Sequence, residues 1–323
     1  MNKIDFLIVT PPEASLGKPI AKTLREMNYQ VEIFDDELRW LSNKISFLKE
    51  HQVKEINKKL IEKVKKQNPK FVVVMKGKYI WRETITQIAQ LGCKTVNFFP
   101  EYISHWKSME HLAPVYNYFI VPCHYVVKYA KEHGHNNFYY QALGVDLSKN
   151  MIFPEMSKKY DFAFIGSVNN DYYPERVEFL SVLADLDLHI WGNKGWRETP
   201  LKKHYHNRPS DKEMFKIYKQ SKIVINIDYH KQPIDGSNIR PFEATACSSL
   251  LLNDAVSPEI YRLFETDKEF VPFKNTAELR EKAKYYLKNE EERLNIAKAG
   301  FERTRRDHTY FDRMEEFIKI VNY

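Results

Sequence analysis

The sequence predicts an α/β protein with two doubly wound, Rossmann-like parallel-sheet domains that face a cleft. Apolar runs of strand length alternate with amphipathic segments, and this alternation stops once and then restarts. The runs of the first half are IDFLIVT, QVEIFD, KFVVVM, KTVNFF and NYFIVP; those of the second half are YDFAFIG, DLHIWG, KIVINID and SLLLND. KFVVVM is apolar along most of its length, as expected for a strand buried on both faces.

The polar stretch LSKNMIFPEMSKK at 147–159 has no periodicity and separates the two runs of elements. We therefore expect a first domain at 1–150 and a second at 151–308, followed by a C-terminal helix at 309–323. Parallel sheets bind ligands at the carboxyl ends of their strands, so two such domains predict a site at those ends.

Composition excludes several classes of protein. Charged residues make up 29% of the 323 residues and hydrophobic ones 43%, which is typical of a folded globular protein. No apolar run approaches the roughly 18 residues of a membrane-spanning helix, and the N-terminal sequence does not resemble a signal peptide. The three cysteines form no CxxC pair and suggest neither a disulfide framework nor a zinc site. These features predict a cytoplasmic protein.

Positive charge is concentrated in the first half. Residues 1–150 hold 22 Lys and Arg against 15 Asp and Glu, and so account for the whole net charge of +7. Seven lysines fall within 49–66, where Val53, Ile56, Leu60 and Val64 recur at helical spacing. That stripe is expected to pack on the sheet while the lysines face water. An acidic partner and a merely solubilising surface both fit this pattern.

Candidate ligand-binding residues follow three strands of the second domain. They are Gly166 and Ser167 after YDFAFI, Gly192 and Asn193 at the end of DLHIWG, and Asn226 and Asp228 in KIVINID. A glycine at a strand end lets a ligand approach the backbone, and the N-terminus of the next helix offers N–H groups to a phosphate.

The segment DGSNIRPFEATACSSLLLND, residues 235–254, has the richest chemistry. Pro241 is tolerated only in the first turn of a helix, so the helix begins close to Asn238. Arg240 and Glu243 are three residues apart and share a face. With Asp235, Gly236 and Ser237 in the preceding loop, this helix end could hold a diphosphate and sugar hydroxyls. The alternative is an exposed capped helix in which Arg240 and Glu243 pair with each other.

This segment resembles retaining glycosyltransferases of the GT-B fold, in which an acidic pair at this spacing meets the donor sugar and its nucleotide. The closer match is the CgeB-like (spore-maturation) branch. The matching motifs are RPFEA, LLLND, EFVPFKNTAEL, KAKYYL, RLNIAKAGFERT and HTYFDR, in that order, over roughly residues 160–315. In the first half only NFFPEY and YYQALGVD look like the family's motifs.

The resemblance implies a role for each matching position. Glu243 would meet the nucleotide ribose, Arg240 the diphosphate, and Asp235 with the 236–238 backbone the donor sugar, while Gly166 would lie under the phosphates. His308 and Tyr310 would be packing and hinge residues before a C-terminal helix that crosses back to the first domain. The sequence departs from the family in two places: Asp235 stands where the broader retaining families have Glu, and Ser248 or Ser249 stands where glycine usually precedes the returning strand.

Three further motifs are weaker indications of chemistry. DLD at 185–187 resembles a metal-binding DxD, but it falls between a helix and a strand, away from the predicted cleft. HYH at 204–206 lacks a third ligand and fits surface histidines. His105, with Glu101 and His111, could act on the acceptor hydroxyl or lie in an ordinary loop. We therefore expect no metal and no cofactor.

The resulting prediction is a metal-independent, retaining glycosyltransferase in which Asp235, Glu243 and His105 are the candidate catalytic residues. Its partners would be a nucleotide sugar and an acceptor whose candidates include acidic ones: a polysaccharide, a modified nucleic acid, a protein or a lipid-linked molecule at an anionic surface. The alternatives are a sugar-nucleotide epimerase of the same architecture and a non-catalytic protein that binds nucleic acid or an anionic surface, with a DNA-glycosylating enzyme as a hybrid.

Overall fold

The computed structural model of the chain describes residues 4–11, 16–38, 46–148, 156–169, 173–228 and 235–322. Within these ranges the chain forms two parallel β-sheets of six strands each, with helices in the connections. The chain divides into two compact units, Met1–Ala142 with Tyr310–Tyr323, and Leu143–Thr309. The α/β class predicted from the alternating apolar runs is confirmed.

The α-helices of the described residues are α1 (Gly17–Glu26), α2 (Ser46–Gln67), α3 (Arg82–Gln90), α4 (Trp106–Leu112), α5 (His124–Glu132), α6 (Glu175–Ser181), α7 (Asp211–Gln220), α8 (Arg240–Thr245), α9 (Glu259–Leu263), α10 (Thr276–Lys288), α11 (Glu290–Asp307) and α12 (Tyr310–Asn322). The strands of the first unit are β1 (Phe6–Val9), β2 (Val31–Phe34), β3 (Phe71–Met75), β4 (Lys94–Phe98), β5 (Tyr118–Val121) and β6 (Phe138–Tyr140). Those of the second unit are β7 (Tyr160–Ile165), β8 (Leu188–Gly192), β9 (Tyr205–Asn207), β10 (Ser221–Asn226), β11 (Leu250–Asp254) and β12 (Val271–Phe273).

Both sheets are doubly wound. The order is β2-β1-β3-β4-β5-β6 in the first unit and β12-β11-β10-β7-β8-β9 in the second. In the second unit the chain runs outward from β7 to β9, returns to the other side of β7 at β10, and runs outward again. The carboxyl ends of β7 and β10 therefore flank a topological switch point, which is the usual ligand site of such sheets.

Helix α2 packs as its sequence pattern predicts. Ile56, Leu60 and Val64 are buried in the core of the first unit, and Val53 packs against that core. Lys63 pairs with Glu32 on β2 at 2.6 Å, while the other six lysines of 49–66 are exposed. The stripe thus stabilises the sheet, and the lysines contribute mainly to the charge of the surface.

Strands β6 and β9 were not anticipated. Each has three residues and lies at the edge of its sheet, so a single neighbour determines its conformation. Such short polar or aromatic runs lack the apolar signal on which the other strands were recognised. Tyr205 and His206 of the HYH motif belong to β9.

The division between the units falls after Ala142, whereas the sequence suggested residue 150. Residues 143–145 belong to the second unit because the Val145 N–H donates to the His308 carbonyl at 3.0 Å and Val145 pairs with Thr309. Residues 149–155 of the expected linker lie outside the described residues. Helix α12 belongs to the first unit, where the Phe317 ring lies 5.9 Å from Phe6.

Across the residues that the structure describes, no helix combines the length and the apolar character needed to cross a membrane.

The turn between α8 and β11 explains the unusual Ser248–Ser249 pair. Ser248 has φ of 53°, in the left-handed region that favours glycine, and its side chain is exposed. The buried Ser249 hydroxyl instead contacts two carbonyls, at 2.5 Å from Tyr218 O and 2.9 Å from Ser221 O. Ser248 therefore occupies the position where a glycine is expected.

The two serines should respond in opposite ways to glycine. We expect Ser248→Gly to raise the free energy of unfolding by about 0.5–1 kcal/mol, because it removes the strain of a side chain at positive φ. Ser249→Gly should lower it by about 1–3 kcal/mol, because the buried hydrogen bond of its single hydroxyl proton to these carbonyls is lost. Urea unfolding of both variants tests this, and an equal effect of the two substitutions would contradict the assignment.

Candidate active site

Arg240 lies at the switch point of the second sheet. It is the first residue of α8, and its Nε donates to the carbonyl of Ile165, the last residue of β7, at 2.5 Å. Its own N–H donates to Asn238 Oδ1 at 2.9 Å, so the start of the helix is fixed relative to the loop before it. The predicted first-turn position of Arg240 and Pro241 is confirmed.

A second arginine, Arg176 of α6, joins the two strand ends and was not predicted. Its Nη2 donates to Ile227 O at 2.9 Å, and its Nη1 donates to Ser167 O at 2.7 Å. The side chain is 3% exposed, and its guanidinium lies 3.6 Å from the centre of the Tyr173 ring. Burial lowers the pKa of Arg176 to about 9, and the nearby charge of Arg240 acts in the same direction. Its signal in the sequence was a basic residue in the first turn of the helix after the Gly166 loop.

Polar side chains follow β10 and β11 at the same edge of the sheet. Asn226 Nδ2 donates to Asn253 Oδ1 at 2.7 Å, and the Asp228 N–H donates to Asp254 Oδ2 at 2.7 Å. Asn238 Nδ2 donates both to Asn226 Oδ1, at 3.1 Å, and to Asp228 Oδ1. The predicted residues Asn226, Asp228 and Asn238 thus form one network, which also includes two residues of the LLLND motif.

Asp228 is 3% exposed, and its charged form is disfavoured. Burial raises the pKa of Asp228 to about 7, and repulsion from Asp254 adds to the increase. The hydrogen bond from Asn238 and the charges of Arg240 and Arg176 act in the opposite direction without cancelling it. The site therefore contains two guanidinium groups beside a carboxyl that titrates near neutral pH.

The predicted glycine at the end of β8, Gly192, is required by a close approach of β7 and β8. A Cβ at Gly192 would lie 2.1 Å from the Gly166 carbonyl, so only glycine fits there. Trp196 Nε1 donates to the same carbonyl at 2.8 Å. Asn193 holds the adjacent turn through its side chain, at 2.9 Å from both the N–H and the carbonyl of Val168. In the structure, Gly192 and Asn193 thus shape the turn that carries Gly166 and Ser167.

Glu243 is buried with 7% of its surface exposed. Among the described residues no ion pair joins Arg240 to Glu243, and Arg240 Nε is occupied by the Ile165 carbonyl. The helix is therefore not the exposed, self-paired helix that the sequence left open. Both side chains belong to the end of the helix nearest the switch point.

The loop before α8 is held by residues near α9. Asp235 forms an ion pair with Arg262, whose Nη2 also lies 3.0 Å from Glu259 Oε2. The Gly236 carbonyl accepts from Ser257 Oγ at 2.7 Å, and Ser237 is buried. Residues 229–234, which lead into this loop, lie outside the described residues.

His105 lies in the first unit, in a short 3₁₀ helix before α4. Its Nδ1 is 3.2 Å from Ser104 Oγ and 4.0 Å from Glu101 Oε2, and its side chain is 48% exposed. Glu101 also pairs with Lys76. The histidine that the sequence proposed is thus accessible and close to a carboxylate.

The DLD and HYH motifs form contacts with side chains outside the candidate site. Asp185 of the DLD segment forms a two-point pair with Arg280, and it precedes β8 at the amino edge of the sheet. His206 of HYH lies 2.9 Å from His189, which contacts Asp187. In the part of the chain that the structure describes, no three His, Cys, Asp or Glu side chains are grouped as metal ligands.

The titration of Asp228 predicts a pH dependence of stability. Because its pKa rises from 3.8 to about 7 on folding, the native state favours the protonated carboxyl, and this contribution is lost as the pH rises through 7. Asp228→Asn does not titrate. We therefore expect the stability of the variant, relative to the unmodified protein, to increase between pH 5 and pH 8 in urea unfolding.

Asp161→Asn is the matched control, since Asp161 pairs with Lys222 at 2.7 Å on the same sheet. Its difference from the unmodified protein should stay constant over the same interval. A pH-independent difference for Asp228→Asn would contradict the proposed cause.

The comparisons with known proteins agree with this geometry. Residues 176–319 match the family model described as glycosyl transferase-like, and the match begins at Arg176. The whole chain is similar in fold to Anabaena Alr3699/HepE, crystallised with UDP-glucose, with a TM-score of 0.67, 8% identity and 99% coverage of both chains. Sucrose-phosphate synthase from Thermosynechococcus elongatus has a TM-score of 0.66 and 9% identity, with 99% of this chain and 98% of that chain covered.

A putative UDP-N-acetylglucosamine 2-epimerase from Listeria monocytogenes is also similar, with a TM-score of 0.59, 12% identity, and coverage of 99% of this chain and 96% of that chain. No curated protein sequence matches significantly. With the two doubly wound sheets described above, these similarities establish the GT-B fold. Within that fold, residues 176–319 resemble the glycosyl transferase-like family.

Proposed function

We propose that the protein transfers a sugar from a nucleotide-sugar donor to an acceptor hydroxyl, and that the donor binds at the carboxyl edge of the second sheet. The observation that supports this most directly is the position of Arg240. Its Nε is fixed on the Ile165 carbonyl, while its two terminal nitrogens have no hydrogen bond to any described residue. A positioned guanidinium with free donors at a switch point suits a diphosphate.

The two arginines have different tasks in this proposal. Arg176 uses its donors on the carbonyls of Ile227 and Ser167, so it contributes charge and holds the loops in place. Arg240 supplies hydrogen bonds to the diphosphate oxygens. As the bond between the sugar and the phosphate breaks, negative charge grows on the leaving diphosphate, and groups already oriented toward it stabilise that charge.

The remaining donor contacts follow from position. Glu243 lies on the same first turns of α8 as Arg240, where a carboxylate can accept hydrogen bonds from ribose hydroxyls. Asp235 and the backbone of 236–238 are proposed to meet the donor sugar, and Arg262 sets the orientation of the Asp235 carboxylate. Gly166 and Ser167, shaped by Gly192 and Asn193, complete the phosphate side, and the Asn226–Asp228–Asn238 network supports it.

HepE was crystallised with UDP-glucose, so UDP-glucose is the first donor to test. Retention of the anomeric configuration and independence of metal are part of the proposal, as is membership of the CgeB-like branch, which the order of the second-half motifs supports. The acceptor is proposed to be acidic because the first half of the chain carries the net positive charge.

The similarity to a putative epimerase supports one alternative, the isomerisation of a nucleotide sugar without an acceptor. The two reactions are distinguished by their products. A transferase releases nucleoside diphosphate in proportion to acceptor consumed. An epimerase converts UDP-sugar alone to its isomer, and NMR spectroscopy of the donor detects this.

Removal of the proposed diphosphate contact should weaken donor binding. We expect Arg240→Ala to reduce affinity for UDP by about 1.5–3 kcal/mol, the usual contribution of hydrogen bonds to a charged group, measured by calorimetry. Arg280→Ala is the control, since it removes an arginine paired with Asp185 at the opposite edge of the sheet. Equal UDP affinity in Arg240→Ala and the unmodified protein would remove Arg240 from the site.

The proposed mechanism uses no metal ion. We expect sugar transfer to proceed at an unchanged rate in excess EDTA, since Arg240 and oriented N–H groups neutralise the leaving diphosphate. The measurement is release of UDP from UDP-sugar with and without the chelator. Loss of activity that manganese or magnesium restores would show that the leaving group is stabilised by a cation instead.

A further inference from the structure

A cavity of about 680 Å³ is lined by residues of the first unit alone, and none of them is assigned to the donor. It opens at the carboxyl ends of β3 and β4, beside the N-terminus of α3, and α4 closes one side. Its volume is within the usual range of small-molecule sites. The first sheet is doubly wound like the second, and the same edge of both sheets is suited to ligands.

The charged side chains of the cavity wall are mostly cationic. Lys76, Lys78 and Arg82 line it, with Glu83 as the acidic residue among the lining side chains. Lys76 is neutralised by Glu101. Lys78 and Arg82 form no ion pair with any described residue, and Arg82 Nε is buried without a hydrogen-bond partner there. A buried donor with no acceptor is costly, and a bound oxyanion would relieve that cost.

The backbone holds these cations at the mouth of the cavity. Lys76 and Gly77 are consecutive left-handed residues, with φ of 59° and 78°. The Lys76 carbonyl accepts from Asn97 Nδ2 at 3.2 Å, which fixes the turn. Helix α3 then begins at Arg82 with no side-chain cap, so the positive end of its dipole adds to the same field.

Much of the remaining wall is apolar or aromatic. Ile80 and Phe99 are buried in it, and the Trp81 ring is 41% exposed. A ligand that fills this cavity would therefore place an anionic group against Lys78 and Arg82 and a less polar part against Trp81 and Phe99. A free inorganic ion would occupy only a small part of the volume.

We propose that this cavity binds the acceptor through an oxyanion, phosphate or carboxylate, held by Lys78 and Arg82. The proposal rests on the proposed transferase function and goes further by naming residues that select the acceptor. It differs from attraction by the lysines of α2, because α2 contributes no residue to the cavity wall and six of its seven lysines in 49–66 are exposed.

The test uses the full chain and two simple probes, inorganic phosphate and acetate, titrated at constant ionic strength and followed by NMR chemical-shift changes. We expect the double variant K78Q/R82Q to bind the preferred probe at least about tenfold more weakly, as for loss of a charged hydrogen bond. The matched double variant K58Q/K65Q, which removes the same charge from α2, should bind it within about twofold of the unmodified protein. The probe that binds with the higher affinity indicates whether the acceptor group is a phosphate or a carboxylate.

Two further measurements separate this proposal from the donor site. UDP affinity should be equal in K78Q/R82Q and the unmodified protein, which also shows that the variant is folded. Probe binding should survive in Arg240→Ala. Three outcomes would overturn the cavity assignment. They are loss of probe binding only in Arg240→Ala, equal loss in the double variants K78Q/R82Q and K58Q/K65Q, and absence of probe binding in the unmodified protein. If UDP itself does not bind, the donor proposal fails, whatever the probes show.

Discussion

The second unit depends on one buried guanidinium. Arg176 connects the turn after β7 to the end of β10 through the carbonyls of Ser167 and Ile227. These two strand ends are separated by a long stretch of chain, and the residue pairing of β7 with β10 extends to Ala163 and Val224, short of both ends. Because the residues after β7 and β10 form the two sides of the candidate site, their spacing is set by this side chain. Among the described residues Arg176 has no carboxylate at contact distance, and its burial is costly, as the lowered pKa indicates.

The close approach of β7 and β8 likewise fixes the backbone after β7, on the side of the sheet that faces β8. The absence of a Cβ at Gly192 allows the Gly166 carbonyl to lie against β8, and Trp196 donates to that carbonyl. Side chains that looked like ligand contacts are here used to shape the backbone. A site for a flexible diphosphate benefits from this arrangement, since rigid backbone groups lose little entropy when the ligand binds.

Patterns that reflect burial were predictable from the sequence. KFVVVM became the fully buried β3, the Ile56–Leu60–Val64 stripe became the buried face of α2, and Pro241 marked the first turn of α8. These are local consequences of periodicity and of one residue's stereochemistry.

Contacts between distant parts of the chain were not predictable. The two bonds of Arg176 span 9 and 51 residues, and Asp235 finds Arg262 after 27. The cavity of the first unit likewise depends on which residues follow β3 and β4 once the sheet has formed. Sequence reasoning found His105 there, but it attributed the basic character of this half to α2 and overlooked Lys78 and Arg82.

The return of α12 to the first unit makes Leu143–Thr309 an uninterrupted domain insertion. Its two ends lie side by side, since Val145 pairs with Thr309 and bonds to His308. Removal of the last helix would therefore leave the second unit covalently whole while it deletes the buried Phe317 and Val321 from the other unit. The adjacent ends also make this insert suitable for excision or for circular permutation at an exposed loop, because a short linker could join 143 to 309.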